Sequence, residues 1–481
     1  VGAAVRGLYE ECGLTVPDRV AQSLRNARGA IELFNVLTDV RLLLADQPGL
    51  RGPRALYAAM NGFRHATDPM CVLASPRANT FASIDMDFGV GLELDGVGGP
   101  AWIIYQVEYK TAQGLLPTVG WLESAPKPDA LPSPVGTAWR VKRVIPESPA
   151  QKAGLRPDDL ITHLNGTELT PDTADKLFRQ FAFPSNRIDP KTGQAVPPDR
   201  TLTVKRDGAK PFNVKVEGVS YTPASAFGVV RTPDDKWDCL IDREHKIGYL
   251  RLGAVETGLD AKVAELTAEL VKRGCRGLIL DLRWCPGGYV DPAVNIAGLF
   301  LPEDAVVYRT RYRVARPVMA SVERSPYDGT RHTKLPLAVL IGPDTVGGGE
   351  LIAAALRDHD RCVLIGQRTF GRAVIQNLVE AGFGGLQLKV SVGESLRPNG
   401  KVRQKPLNAG PLDEWGLKPD EGLGVPVTKD KNDELRRWAD LHAIRPADSK
   451  EGLDFDDPAD DPARLQALEY LRKTLGKPAG K

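Results

Sequence analysis

Between residues 226 and 427, short apolar runs alternate with stretches of helical period, and this alternation limits the fold more than any other feature. Ile247-Gly248-Tyr249-Leu250-Arg251-Leu252, Gly277 to Arg283, Leu337 to Ile341 and Val363 to Ile365 are each too short for a stable helix. Successive apolar positions bury both faces of a strand, as in the interior of a parallel sheet. Between these runs lie helical patterns. Residues 258–273 place Leu259, Val263, Leu266 and Leu270 on one face, and Val290 to Phe300 and Glu350 to Asp358 follow. Strands separated by helices pair in parallel, so an α/β core is expected.

The chain has 481 residues, enough for about three domains. Residues 1–87 read as a helical region. Thr15, Pro17 and Asp18 form a helix start, and Ile31, Phe34, Val36, Leu37, Val40 and Leu43 recur at helical spacing. Residues 88–225 form a second unit, 226–427 the α/β core, and 428–481 a tail of linker and helix. In the tail, Asp454, Asp456, Asp457, Asp460 and Asp461 read as a solvated acidic linker before a short helix marked by Leu465, Leu468 and Leu471. The 63 basic residues nearly balance the 61 acidic ones, which argues against a nucleic-acid partner. No apolar stretch is long enough to span a membrane. The six cysteines contain no C-x-x-C pair and read as buried thiols, with a Cys275–Cys285 disulfide left open. No zinc-protease motif occurs, so no metal and no cofactor is expected.

In the second unit, Ser148-Pro149-Ala150 starts a short helix that Gly154 ends, and Asn165-Gly166 marks a tight hairpin. Together with Asp158-Asp159-Leu160-Ile161, this run resembles the PDZ domain of bacterial proteases. Phe88-Gly89-Val90-Gly91-Leu92 resembles the loop with which that domain holds a peptide's terminal carboxylate. A segment rich in Gly, Pro and Trp, near 95–138, separates the two as an insertion.

The α/β segment resembles the C-terminal processing peptidases, or tail-specific proteases. The resemblance is carried by Leu278-Ile279-Leu280-Asp281-Leu282-Arg283, Pro286-Gly287-Gly288, Leu299-Phe300-Leu301-Pro302, Thr369-Phe370-Gly371 and Gly416-Leu417-Lys418-Pro419-Asp420. It implies a crotonase-like core with an inserted PDZ domain and helical flanks. It also implies a serine nucleophile paired with a neutral lysine base, an oxyanion hole, and an exported or periplasmic location.

The same resemblance shows where this chain departs. The family's serine run corresponds to Thr345-Val346-Gly347-Gly348-Gly349-Glu350, which puts Gly347 at the nucleophile and Arg372 at the base, 25 positions on. Glycine has no nucleophile, and an arginine stays protonated near neutral pH. Losing the serine alone costs on the order of 10⁶ in turnover in a serine protease. Asp358 and Gln376 match supporting positions, and Gly287, Gly288 and Gly348 are candidates for the oxyanion hole. The Arg372 guanidinium is expected to pair with Asp358 or Glu350. The first expectation is a pseudoprotease that binds peptides or protein C-termini as a scaffold or regulator, with a second copy or an active paralogue as further partners. The alternatives are an endopeptidase with an unusual nucleophile, Thr345 being the candidate, and a small-ligand carrier like the retinoid-binding proteins of the eye.

Overall fold

The computed structural model describes residues 1–50, 138–145, 147–170, 198–218, 224–232, 236–312, 322–380, 387–406, 409–410, 413–444 and 461–476, with short strands and isolated positions elsewhere. It divides into two compact units, one formed by 1–79, 313–316 and 374–394, the other by the remainder.

In the second unit, the alternating runs form one sheet. Ile247–Leu252 pairs in parallel with Gly277–Asp281, that strand with Leu337–Ile341, and that one with Cys362–Gly366. Ala226–Phe227 and Leu240–Asp242 add antiparallel partners to Ile247–Leu252. The two-residue period of a strand explains the layering. Leu250, Leu252, Leu278, Leu280 and Val339 face a core with Leu259, Val263, Leu266 and Ile352 from the covering helices. Ile247, Tyr249, Ile279, Ala338 and Leu340 face the tail helix Pro462–Leu475 through Ala463, Ala467, Leu468 and Leu471. Helices on both faces are what strands with apolar side chains on both faces require.

The tail corrects the reading of the acidic run. Asp461 is buried, caps the last helix by accepting from the Arg464 N–H, and takes two 2.7 Å bonds from the Arg283 guanidinium. Arg283 also clasps Asp281, which accepts the Tyr249 hydroxyl at 2.8 Å. A carboxylate lacking these partners would not be buried. The rest of the acidic run, Asp454 to Asp460, lies outside the described residues. A further helix, Lys429–Ile444, occupies what read as linker.

The PDZ-like segment carries its expected local signals. Ser148 caps Pro149–Lys152 through the Gln151 N–H, and Gly154 turns left-handed after it. Asn165 and Gly166, both at positive φ, close the hairpin between Leu160–Leu164 and Thr167–Glu168. The insertion contains a hairpin, Gln106–Thr111 against Gly114–Val119. Phe88, Gly89, Val90 and Gly91 lie outside the described residues, and Leu92 opens a strand, Leu92–Asp95, paired with Trp139–Val144.

Among its described residues, the first unit includes the helices Gly2–Glu11, Asp18–Asn26 and Ala30–Leu43. Pro17, not Thr15, holds the N-cap position of the second. The helical reading of residues 1–87 fails at Val72–Ala74, a strand antiparallel to Gln387–Lys389. A partner more than 300 positions away supplies its hydrogen bonds, and no local pattern announces that. The five described cysteines are all free thiols, Cys275 and Cys285 among them.

Burial alone would raise the Asp461 carboxyl, but Arg283 and Arg464 outweigh it and hold the group below its ordinary range. Its stabilising contribution is therefore complete above about pH 4 and lost as pH falls through the depressed folded value. Asp461→Asn is expected to cost about 3–5 kcal/mol in urea unfolding at neutral pH. It should also flatten the acid limb of the stability profile, and an unchanged midpoint would contradict this role.

Candidate functional site

Two loops meet at the C-terminal ends of the parallel strands. One follows Gly277–Asp281 and holds Cys285 to Tyr289. The other follows Leu337–Ile341 and leads into the helix Gly348–Asp358. They are stitched together where the Val346 N–H donates to the Cys285 carbonyl at 2.9 Å. Val255 fixes the first loop by donating to the Gly287 carbonyl and accepting from the Tyr289 N–H, each at 2.8 Å.

Gly288 needs to be glycine. At φ +146 a Cβ would stand 2.3 Å from the Val255 carbonyl oxygen. Gly347 differs. Its φ of +49 disfavours a side chain, yet the nearest heavy atom to an added Cβ is the Gly287 Cα at 3.9 Å. Crowding is therefore not what removes the side chain. The Gly348 N–H, first in its helix, has no intrahelical acceptor. It lies beside Gly287, whose added Cβ would be 3.0 Å from that nitrogen. So the structure brings Gly287, Gly288, Gly347 and Gly348 together.

Beneath them sits the Glu350 carboxylate, fully buried. It accepts from the Gly347 N–H at 3.1 Å, the Thr369 hydroxyl at 2.5 Å, the Gly371 N–H at 2.7 Å and the Arg372 N–H at 2.8 Å. The bond to Gly347 is half of a capping box, and the other half would need a side chain at the N-cap. Arg403, 2% exposed, stands 4.0 Å from Glu350 and donates to the Gly347 carbonyl at 3.3 Å and the Ser395 hydroxyl at 2.6 Å. Glu350 and Arg403 thus hold Gly347 by its N–H and its C=O. Burial raises the Glu350 carboxyl, opposed in part by Arg403 and the donated hydrogen bonds.

Arg372 follows Phe370-Gly371 as expected, but its pairing does not. Asp358 is taken by Arg397, and Glu350 by backbone amides, Thr369 and Arg403. The Arg372 guanidinium instead lies 5.6 Å from the centre of the Phe370 ring. Burial lowers the pKa of both Arg372 and Arg403, and neither becomes a base near neutral pH. Gln376 belongs to the other compact unit, where its amide donates to the Ser391 hydroxyl at 3.4 Å. Thr345 is fully buried; its hydroxyl donates to the Leu282 carbonyl at 2.8 Å and accepts from the Gly342 N–H at 2.9 Å. His359 is bound at its ring Nε2 to the Val306 carbonyl, 2.8 Å away. Among the described residues, no three metal-ligating side chains gather, and no helix is long and apolar enough to cross a membrane. Sequence reading missed Arg403, which has no local signature, being 31 positions from Arg372.

Residues 246–421 match peptidase family S41, and residues 140–179 match the PDZ domain. The chain carries an S41 peptidase domain preceded by a PDZ domain. It is 28% identical over 284 residues to a carboxyl-terminal-processing protease of Synechocystis sp., covering 58% of each chain. It is 27% identical over 266 residues to the carboxy-terminal-processing protease of Bartonella bacilliformis, covering 54% of this chain and 55% of that one. The chain thus spans little more than half the length of these relatives. Among solved structures, the photosystem II D1 C-terminal processing protease aligns over 92% of this chain and 98% of its own, at 19% identity and a TM-score of 0.39.

Because burial raises the Glu350 carboxyl, the folded protein keeps that proton to a higher pH than the unfolded chain. Stability from this group should fall as pH rises through the window between the two values. Glu350→Gln abolishes that slope but turns an amide NH₂ toward several donors, at a cost of about 1–3 kcal/mol. Thermal melts across pH 4–8 check both effects, and a variant as stable as the parent would contradict the role given to Glu350.

Proposed function

We propose that this S41 domain is a pseudoprotease, which binds peptides or protein C-termini without cleaving them and serves as a scaffold or a regulator of active relatives. One observation carries the reading. The position read as the nucleophile is Gly347, held by both its peptide groups in a preserved loop, and the position read as the base is Arg372. Glycine cannot attack a carbonyl, and a guanidinium cannot accept the proton. The backbone donors of Gly287, Gly288 and Gly348 would still face a bound carbonyl or carboxylate. Phe88, Gly89, Val90, Gly91 and Leu92 would hold a terminal carboxylate in the PDZ domain. Asp358 would support the site by holding Arg397. The four-part division at 87, 225 and 427 and an exported or periplasmic location go with this reading.

A threonine nucleophile fits poorly, because the Thr345 proton is committed to the Leu282 carbonyl. The protein is expected to leave casein and free-C-terminal peptides intact over hours. The space beside Gly347 permits a serine, so Gly347→Ser/Arg372→Lys should gain measurable hydrolysis, although positive φ keeps it slow. Peptides with a free carboxylate should bind about tenfold tighter than their amides by calorimetry. Cleavage by the native sequence that Thr345→Ala abolishes would overturn the proposal.

A further inference from the structure

Beside the Gly347 loop, one patch carries positive charge that its neighbours do not answer. The Lys405 N–H donates to the Gly371 carbonyl at 2.8 Å. Trp415 packs on the same spot, since a Cβ added at Gly371 would stand 2.8 Å from the Trp415 Cε3 and 2.9 Å from the Lys405 Cβ. The Arg368 guanidinium and the Lys405 Nζ each lie 4.6 Å from the centre of the Trp415 ring. Lys405 is exposed, and Arg368 and Trp415 are half-buried. Among the described residues, neither Arg368 nor Lys405 forms an ion pair, and the hydrogen bond from Arg368 to the Asp413 carbonyl is long at 3.5 Å. The acids next to Trp415 in sequence leave both cations unanswered. Asp413 turns its carboxylate to the Gly410 N–H at 2.7 Å, and the exposed Glu414 forms no ion pair among the described residues.

We propose that this Trp415 patch reads acidic side chains of a peptide held at the Gly347 loop, so that the ligand is a negatively charged peptide or protein C-terminus. Two arguments select that class. An aromatic ring holds a cation through its quadrupole without neutralising it, so Arg368 and Lys405 are fixed in place and still open to a carboxylate. The patch is also joined to the loop. Glu350 accepts the Gly371 N–H on one carboxylate oxygen and the Gly347 N–H on the other, so the patch begins one carboxylate's width from Gly347. A peptide of about two or three residues spans such a distance. A long polyanion or an anionic membrane would also cover Asp413 and Glu414, and fits less well than a short acidic segment. The inference rests on the reading of the Gly347 loop as a peptide site, and not on the absence of cleavage there.

Two labelled peptides of equal length with free C-termini test this on the full chain, one with a run of glutamates before its last residue and one with glutamines there. By fluorescence anisotropy the acidic peptide should bind about fivefold tighter at low salt, and the advantage should shrink as salt screens it. Arg368→Gln and Lys405→Gln should each cut that advantage to about twofold, with cooperative melting retained. Lys405→Arg should keep it, and so should Lys272→Gln, which removes an exposed charge on another part of the core. Equal affinities, an advantage that survives both glutamine variants, or one that Lys272→Gln reduces as much would overturn the inference and leave the pseudoprotease reading standing. Binding of neither peptide would overturn both. Cleavage of both peptides, with a glutamate advantage in initial rates that Arg368→Gln removes, would overturn the pseudoprotease reading and uphold this one.

Discussion

The site depends on one buried carboxylate. Glu350 gathers the start of its own helix and the backbone of residues 369–372, with a hydroxyl and three amides converging on it and Arg403 as its counter-charge. An ionised group so deep is tolerable only when its hydrogen bonds and charge are answered together. Thr369, in turn, accepts the Leu417 N–H, and Asp420 ties the same strap to Arg357 and the Leu364 N–H. Removing Glu350 would release three segments at once. Keeping it preserves the loop whatever residue stands at 347.

That separates architecture from chemistry. The loops with Gly287, Gly288 and Gly348 are held by Val255, Val346 and Glu350 through backbone bonds that require neither a serine nor a lysine. On the proposed reading, Gly347 and Arg372 leave this frame in place while offering no nucleophile and a permanent cation. On that reading the site would suit an electron-rich carbonyl or a carboxylate better than a reaction that must shed a proton.

Much of this was legible in the sequence because it is local. Apolar runs gave the strands, Ser148 and Gly154 bounded their helix, and Asn165-Gly166 made its hairpin. What was not legible depends on long-range partners. Asp461 reads as one more aspartate in an acidic run until Arg283, 178 positions away, draws it inside. Arg403 stands in an unremarkable basic stretch, and only the folded chain sets it beside Gly347. Thr345 stands two positions from the expected nucleophile, and only the fold shows the burial and the two hydrogen bonds that weigh against that role. The partner assigned to Arg372 failed for the same reason, since Arg397 and Arg403 had already claimed the acids.

Binding without turnover is the central claim, and the recovered ligand tests it most directly. A peptide with a free C-terminus would be held in complex with the native protein, the complex isolated after hours, and the peptide's mass measured. An intact mass at full recovery is the expected result. A shortened peptide, accumulating with time and protein concentration, would contradict the account.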